Sequence, residues 1–233
     1  MLISTQSVNK LAEYIENRKE TFCSGLFLSA RWMVISQLDH QGIQMIILPD
    51  RDSAEYCAAD LYNFIEGDRV YFLPDSGKNL ERSNYKSSLG VQRTSALGKI
   101  LEFEKGEQLI IVTYPAALEE PVPDKGKISG SLLRLSVGDE KDYDEIIRIL
   151  FNNGFERVDF VVEPGQFAVR GALIDIFSYS FNNPFRISFF GDEIESINVF
   201  DTNTQLSKEK RDHVDIYPDL SLYEESGETY IHD

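Results

Sequence analysis

Apolar positions along this chain change their period partway. Through the first half, short apolar runs alternate with segments whose apolar residues recur at helical spacing. Residues 7–18 place Leu11, Tyr14 and Ile15 on one face and predict a helix. The apolar run GLFLS at 25–29 precedes a second helical pattern at 30–38. Residues 44–48 (QMIIL) predict a buried strand, and residues 53–65 a helix with Ala54, Cys57, Ala58, Leu61 and Ile65 along one stripe. A strand at 69–73, a polar segment at 75–86, a helix at 91–104 and a strand at 108–113 follow. Near-continuous apolar strands separated by helices indicate an α/β layer with a parallel sheet.

Two prolines and two glycines in residues 119–130 mark a domain boundary, beyond which the pattern alternates with period two. A short strand is predicted at 131–136. Asp142, with Glu145 three residues on, then opens a helix bearing Ile146, Ile147, Ile149 and Leu150, closed by Gly154. Strands at 156–162, 167–177, 185–190 and 194–200 with short links predict an antiparallel meander, so the second part is α+β: one helix on a sheet. Residues 214–217 read as a strand returning to the first domain.

The pleat sorts the meander's side chains. In 167–177, Phe167, Val169, Leu173 and Phe177 share one face, with Ala168, Arg170 and Ala172 on the other. Phe185, Ile187 and Phe189 oppose Arg186, and Val158, Phe160 and Val162 oppose Arg157. Arg157, Arg170 and Arg186 therefore fall on one exposed face, with the helix covering its reverse. Asp175 falls on the apolar face, where it needs a partner such as Arg148.

Those arginines matter more because the chain is acidic, with a formal net charge of −16. Such a surface is a poor partner for free duplex DNA, whose affinity depends on phosphate neutralisation. Positive charge on a rigid face suggests docking to an acceptor-rich protein. Cys23, Cys57 and the scattered His40, His213 and His232 match no zinc-site spacing. The thiols read as buried and inert, and the chain as cytoplasmic with no secretory or membrane-spanning segment. The GLFLSAR segment sits where a strand would feed a helix, as a phosphate loop does. It offers only Gly25, Ser29 and Arg31, without a lysine, so it reads as a degenerate, inactive loop. The pair Asp192-Glu193 reads as a Gly-Asp hairpin turn and not a metal site. No catalytic constellation emerges.

The residues VEPGQFAVRGALIDIF at 162–177, PFRISFFGDEIESI at 184–197 and Phe200-Asp201 resemble the N-terminal region of the bacterial transcription-repair coupling factor family (Mfd) and, more distantly, the excision-repair protein UvrB. The GLFLSAR loop, Phe72-Leu-Pro-Asp75 and residues 143–159 fit the same resemblance. It implies a degenerate helicase-like (P-loop-type) parallel-sheet domain at 1–120, an inserted small α+β domain at 121–207, and a return segment at 208–233. It implies binding of UvrA, the damage-recognition ATPase, through Arg157, Arg170 and Arg186. It implies no cofactor and no ATP hydrolysis by this module, the motor being C-terminal in the family. The factor's own C-terminal domain is expected to mask the arginine face, and RNA polymerase and DNA to be engaged through other parts. The sequence departs from UvrB at Ala168, where another arginine is usual, and at Ser188, where a carboxylate is usual. It has only Tyr85 where UvrB carries a tyrosine-rich DNA-gripping hairpin. A helicase-type nucleotide-binding domain and a DNA-binding module are the alternative readings.

Overall fold

In the computed structural model, which describes residues 5–17, 20, 22, 24–38, 41–77, 84–181 and 183–222, both regimes appear. The chain divides into two units: residues up to 73 with 102–118, and residues 74–101 with those from 119 onward. Cys23, His40 and His232 lie outside the described residues.

The first unit holds α1 (Thr5–Glu16), α2 (Ala30–Ser36), β1 (Gly42–Ile47), α3 (Arg51–Phe64), β2 (Val70–Phe72) and β3 (Gln108–Thr113), closed by α5 (Pro115–Glu119), with α4 (Asn84–Glu102) intervening in sequence. β3 lies between β1 and β2 and pairs with both in parallel. Asp50 accepts a hydrogen bond from the Ser53 amide at 2.8 Å, which starts α3 at Arg51. The stripe Ala54, Cys57, Ala58 and Leu61 then packs on Val70, Phe72, Ile110 and Val112. A leucine as fully buried as Leu61 contributes about 2–3 kcal/mol through area removed from water. Burial also pushes the Cys57 thiol up to about 12, leaving it protonated and inert.

The second unit contains α6 (Lys125–Ser131), β4 (Leu133–Ser136), α7 (Tyr143–Asn152), β5 (Glu156–Arg157), β6 (Gln166–Arg170), β7 (Leu173–Phe177), β8 (Phe185–Phe190), β9 (Glu193–Phe200), β10 (Ser207–Arg211) and β11 (His213–Ile216). Asp142 caps α7 by accepting from the amides of Asp144 and Glu145. Six strands form one sheet in the order β10-β9-β8-β7-β6-β5. α7 lies on one side, burying Ile146 and Leu150 among Phe167, Ile174, Ile176, Phe185 and Ile187.

Four expectations are corrected. Residues 167–177 are two strands joined by Gly171-Ala172; Gly171, at φ 59°, supplies the left-handed first position of a two-residue hairpin turn. Residues 156–162 are a strand only at Glu156–Arg157, and β5 runs parallel to β6. Residues 84–101 of α4 group with the second unit, not the first. β11 pairs with β4 inside the second unit, so it does not return to the first sheet. The Gly191-Asp192 turn forms as expected, with Phe190 opposite Glu193. Among the described residues, no helix is long and apolar enough to cross a membrane, and no cluster of three or more His, Cys, Asp or Glu side chains could hold a metal.

Candidate functional site

The side of the six-stranded sheet away from α7 carries the charge. Cross-strand partners share a face, and one row reads Ala168, Asp175, Arg186, Asn198 and Lys210. The next row reads Arg170, Leu173, Ser188 and Ser196. The two-residue turn at 171–172 inverts face parity between β6 and β7. Asp175 therefore belongs with the arginines and not with the apolar face. Arg148 is not its partner; the Arg148 Nε donates to the Asp144 carbonyl within α7.

Asp175 is the hub. Its side chain is 1% exposed, so its charge requires partners. Arg186 supplies a two-toothed clamp, Nε donating to Oδ1 at 2.7 Å and Nη2 to Oδ2 at 2.9 Å. Arg170 Nη2 donates to the same Oδ2. Arg186 is further fixed by the Phe200 ring, 4.4 Å from its guanidinium carbon, and by the Gln205 carbonyl and side chain. Donating its hydrogen bonds to Asp175 holds the Arg186 charge even more firmly than usual for an arginine. Asp201 organises the loop that brings Gln205 there, accepting from the amides of Asn203 and Thr204 and from Lys208. Gln205 itself sits in left-handed backbone at φ 59°.

The arginines are thus unequal. Arg186 is 20% exposed and committed to internal contacts; Arg170 is 36% exposed, with its guanidinium over Phe160 at 5.1 Å. Two cations share one anion, leaving a local net charge of about +1 on a strongly acidic chain. Arg157 does not join them. It pairs with Phe167, which faces α7, and its charge acts on the Tyr143 phenol at the start of that helix. The expectation of three arginines on one face fails for Arg157 because β5 lies parallel to β6 in this register.

Sequence reasoning also missed the apolar rim. After Arg157 the chain crosses this side of the sheet, burying Val161 against Ala168 and Phe177 and presenting Phe160, 60% exposed. Phe190 follows Arg186 and Ser188 on the same face and is 79% exposed. Exposed aromatics beside an accessible arginine have the composition of a protein-docking patch. For Phe190 the signal was its spacing of two and four residues from Ser188 and Arg186, which puts it on their face.

The Gly25, Ser29 and Arg31 segment is built differently from a phosphate cradle. No strand precedes it among the described residues, and α2 has only seven residues. The amides of Ala30, Arg31 and Met33 donate to the carbonyls of Phe27, Leu28 and Ser29. Arg31 stacks on Trp32 with its guanidinium carbon 4.6 Å from the ring. These donors are consumed locally.

The chain is similar to known proteins. Residues 133–221 match the model of the UvrB interaction domain. The chain is 30% identical to a transcription-repair-coupling factor of Bacillus subtilis over 89% of its own length, covering 18% of that protein. It is 33% identical to one from Mycobacterium bovis over 77% of its length (15% of that protein). It is 30% identical to one from Myxococcus xanthus over 83% (17% of that protein). The chain therefore spans less than a fifth of the length of these relatives.

Proposed function

We propose, for a chain that carries a match to the UvrB interaction domain and is similar over most of its length to transcription-repair coupling factors, that it is an adaptor recruiting UvrA in transcription-coupled excision repair. The docking surface is the open side of the six-stranded sheet, with Arg170 as its accessible cation and Phe160 and Phe190 as its apolar contacts. The observation that carries this reading is the Arg170–Asp175–Arg186 cluster: a rigid, locally positive site beside exposed aromatics, on the sheet face that α7 leaves open. Within a full-length factor, the motor, RNA polymerase contacts and DNA contacts would lie in other parts, and a C-terminal domain would mask this face. The first unit then acts as a degenerate helicase-like framework and not as an ATPase.

Calorimetric titration of purified UvrA with this chain tests the reading. Arg170→Glu is expected to abolish measurable binding, because it places a carboxylate against an acceptor-rich partner. Arg157→Ala is expected to leave affinity near the parent value, since that side chain lies on the α7 side. Undiminished binding by Arg170→Glu would remove this surface from consideration.

A further inference from the structure

We propose that Asp175 is a positioning residue for docking: clamped by Arg186, it holds the Arg170 guanidinium over Phe160, so a carboxylate-bearing partner meets one pre-oriented cation. This inference rests on the docking reading above. Asp175 cannot drift, because it is buried and Arg186 grips both its oxygens. Arg186 in turn is fixed by Phe200 and Gln205. Arg170 donates through Nη2 alone, leaving its Nε and Nη1 hydrogens without another acceptor among the described residues.

An arginine normally loses side-chain freedom when it docks, and here that loss is already met by the fold. The Phe160 ring beside it keeps the guanidinium partly desolvated and limits where it can move. The clamp has a second effect. Asp175 alone would repel a partner carboxylate, and its neutralisation by Arg186 removes that repulsion.

The test is a double-mutant cycle on UvrA affinity with the whole chain. Arg170→Ala is expected to weaken binding about thirtyfold, as a hot-spot arginine does. Asp175→Asn alone is expected to weaken it about tenfold, yet to add nothing once Arg170 is gone. Phe160→Leu, which keeps an apolar side chain for the partner but removes the ring beneath Arg170, is expected to weaken binding about threefold, again only when Arg170 is present. Melting curves establish that Asp175→Asn is folded; if it is not, Phe160→Leu decides. Additive effects of Asp175→Asn or Phe160→Leu in the Arg170→Ala background, or neutral effects of both alone, overturn the positioning role and leave docking through Arg170 intact. Unchanged affinity for Arg170→Ala overturns docking itself.

Discussion

Replacing Arg186 with alanine should damage the fold far more than replacing Arg170, while the two exchange rank for docking. In Arg186→Ala, Asp175, whose side chain is 1% exposed in the parent, loses a two-toothed partner at 2.7 and 2.9 Å. Breaking a buried ion pair from one side costs about 3–5 kcal/mol. Arg170 remains as a second, half-buried partner for the carboxylate, which sets the expected loss near the lower end, about 3 kcal/mol. For a unit of this size that lowers Tm by roughly 6–12 °C. Arg170→Ala leaves the Arg186 clamp whole and removes a group more than a third exposed, so its cost is about 1 kcal/mol or less. Urea or thermal denaturation followed by near-ultraviolet circular dichroism reads both values. Equal destabilisation by the two variants, or a stable Arg186→Ala protein, would show that Asp175 is not held as described.

Two further outcomes concern the same unit. Burial pushes the Asp219 carboxyl above the usual range, against hydrogen bonds from Ser221 and Thr94 that pull it down. A raised folded-state value means the native state holds its proton longer. That contribution is full at low pH and is lost as pH rises from the ordinary carboxylate range through the raised value. Asp219→Asn, which keeps an acceptor for Ser221, is therefore expected to be more stable than the parent near pH 7, with the difference vanishing near pH 3; urea midpoints at both pH values check the sign. Gly165→Ala is expected to cost about 3 kcal/mol, combining left-handed backbone with overpacking. Its φ is 84°, and an added Cβ would lie 2.7 Å from the Tyr179 ring and hydroxyl, whose hydrogen bond to the Gly154 carbonyl would be disturbed. A denaturant midpoint within error of the parent would refute that packing argument.

The periodic elements were legible because they are amphipathic in the plainest sense. The stripe on α3 and the apolar runs of β2 and β3 each carry a single period, and Asp142 announces α7 through its cap. The meander was legible as strands but not as a pairing scheme. Residues 167–177 look like one long β segment because only Gly171-Ala172 interrupts them, and both residues are also compatible with a strand interior. Missing that turn reversed the assigned face of every residue from 173 to 177, which is why Asp175 looked like an orphan in the core. Residues 158–162 (VDFVV) are rich in valine and apolar except for Asp159, yet the chain leaves the sheet after two paired residues and covers part of its open side, burying Val161. Tertiary packing decided there against local propensity. Arg157 was misplaced by the same segment, since its face is set by its register opposite Phe167, which faces α7. A helix was expected at 91–104, but α4 starts seven residues earlier at Asn84, within the segment read as polar. Contacts remote in sequence, such as Arg93 donating to the Pro74 carbonyl, accompany its grouping with the second unit.

Hydroxyl-radical footprinting of the chain with and without UvrA tests the central claim most directly, because it reads side-chain exposure without altering the surface. Phe160 and Phe190, on the open side, are 60% and 79% exposed, whereas Phe151 of α7 is 50% exposed on the opposite side. Bound UvrA is expected to suppress oxidation of Phe160 and Phe190 and leave Phe151 as reactive as before. Protection of Phe151 with Phe160 and Phe190 still fully reactive would place the partner on the helix side and contradict the account.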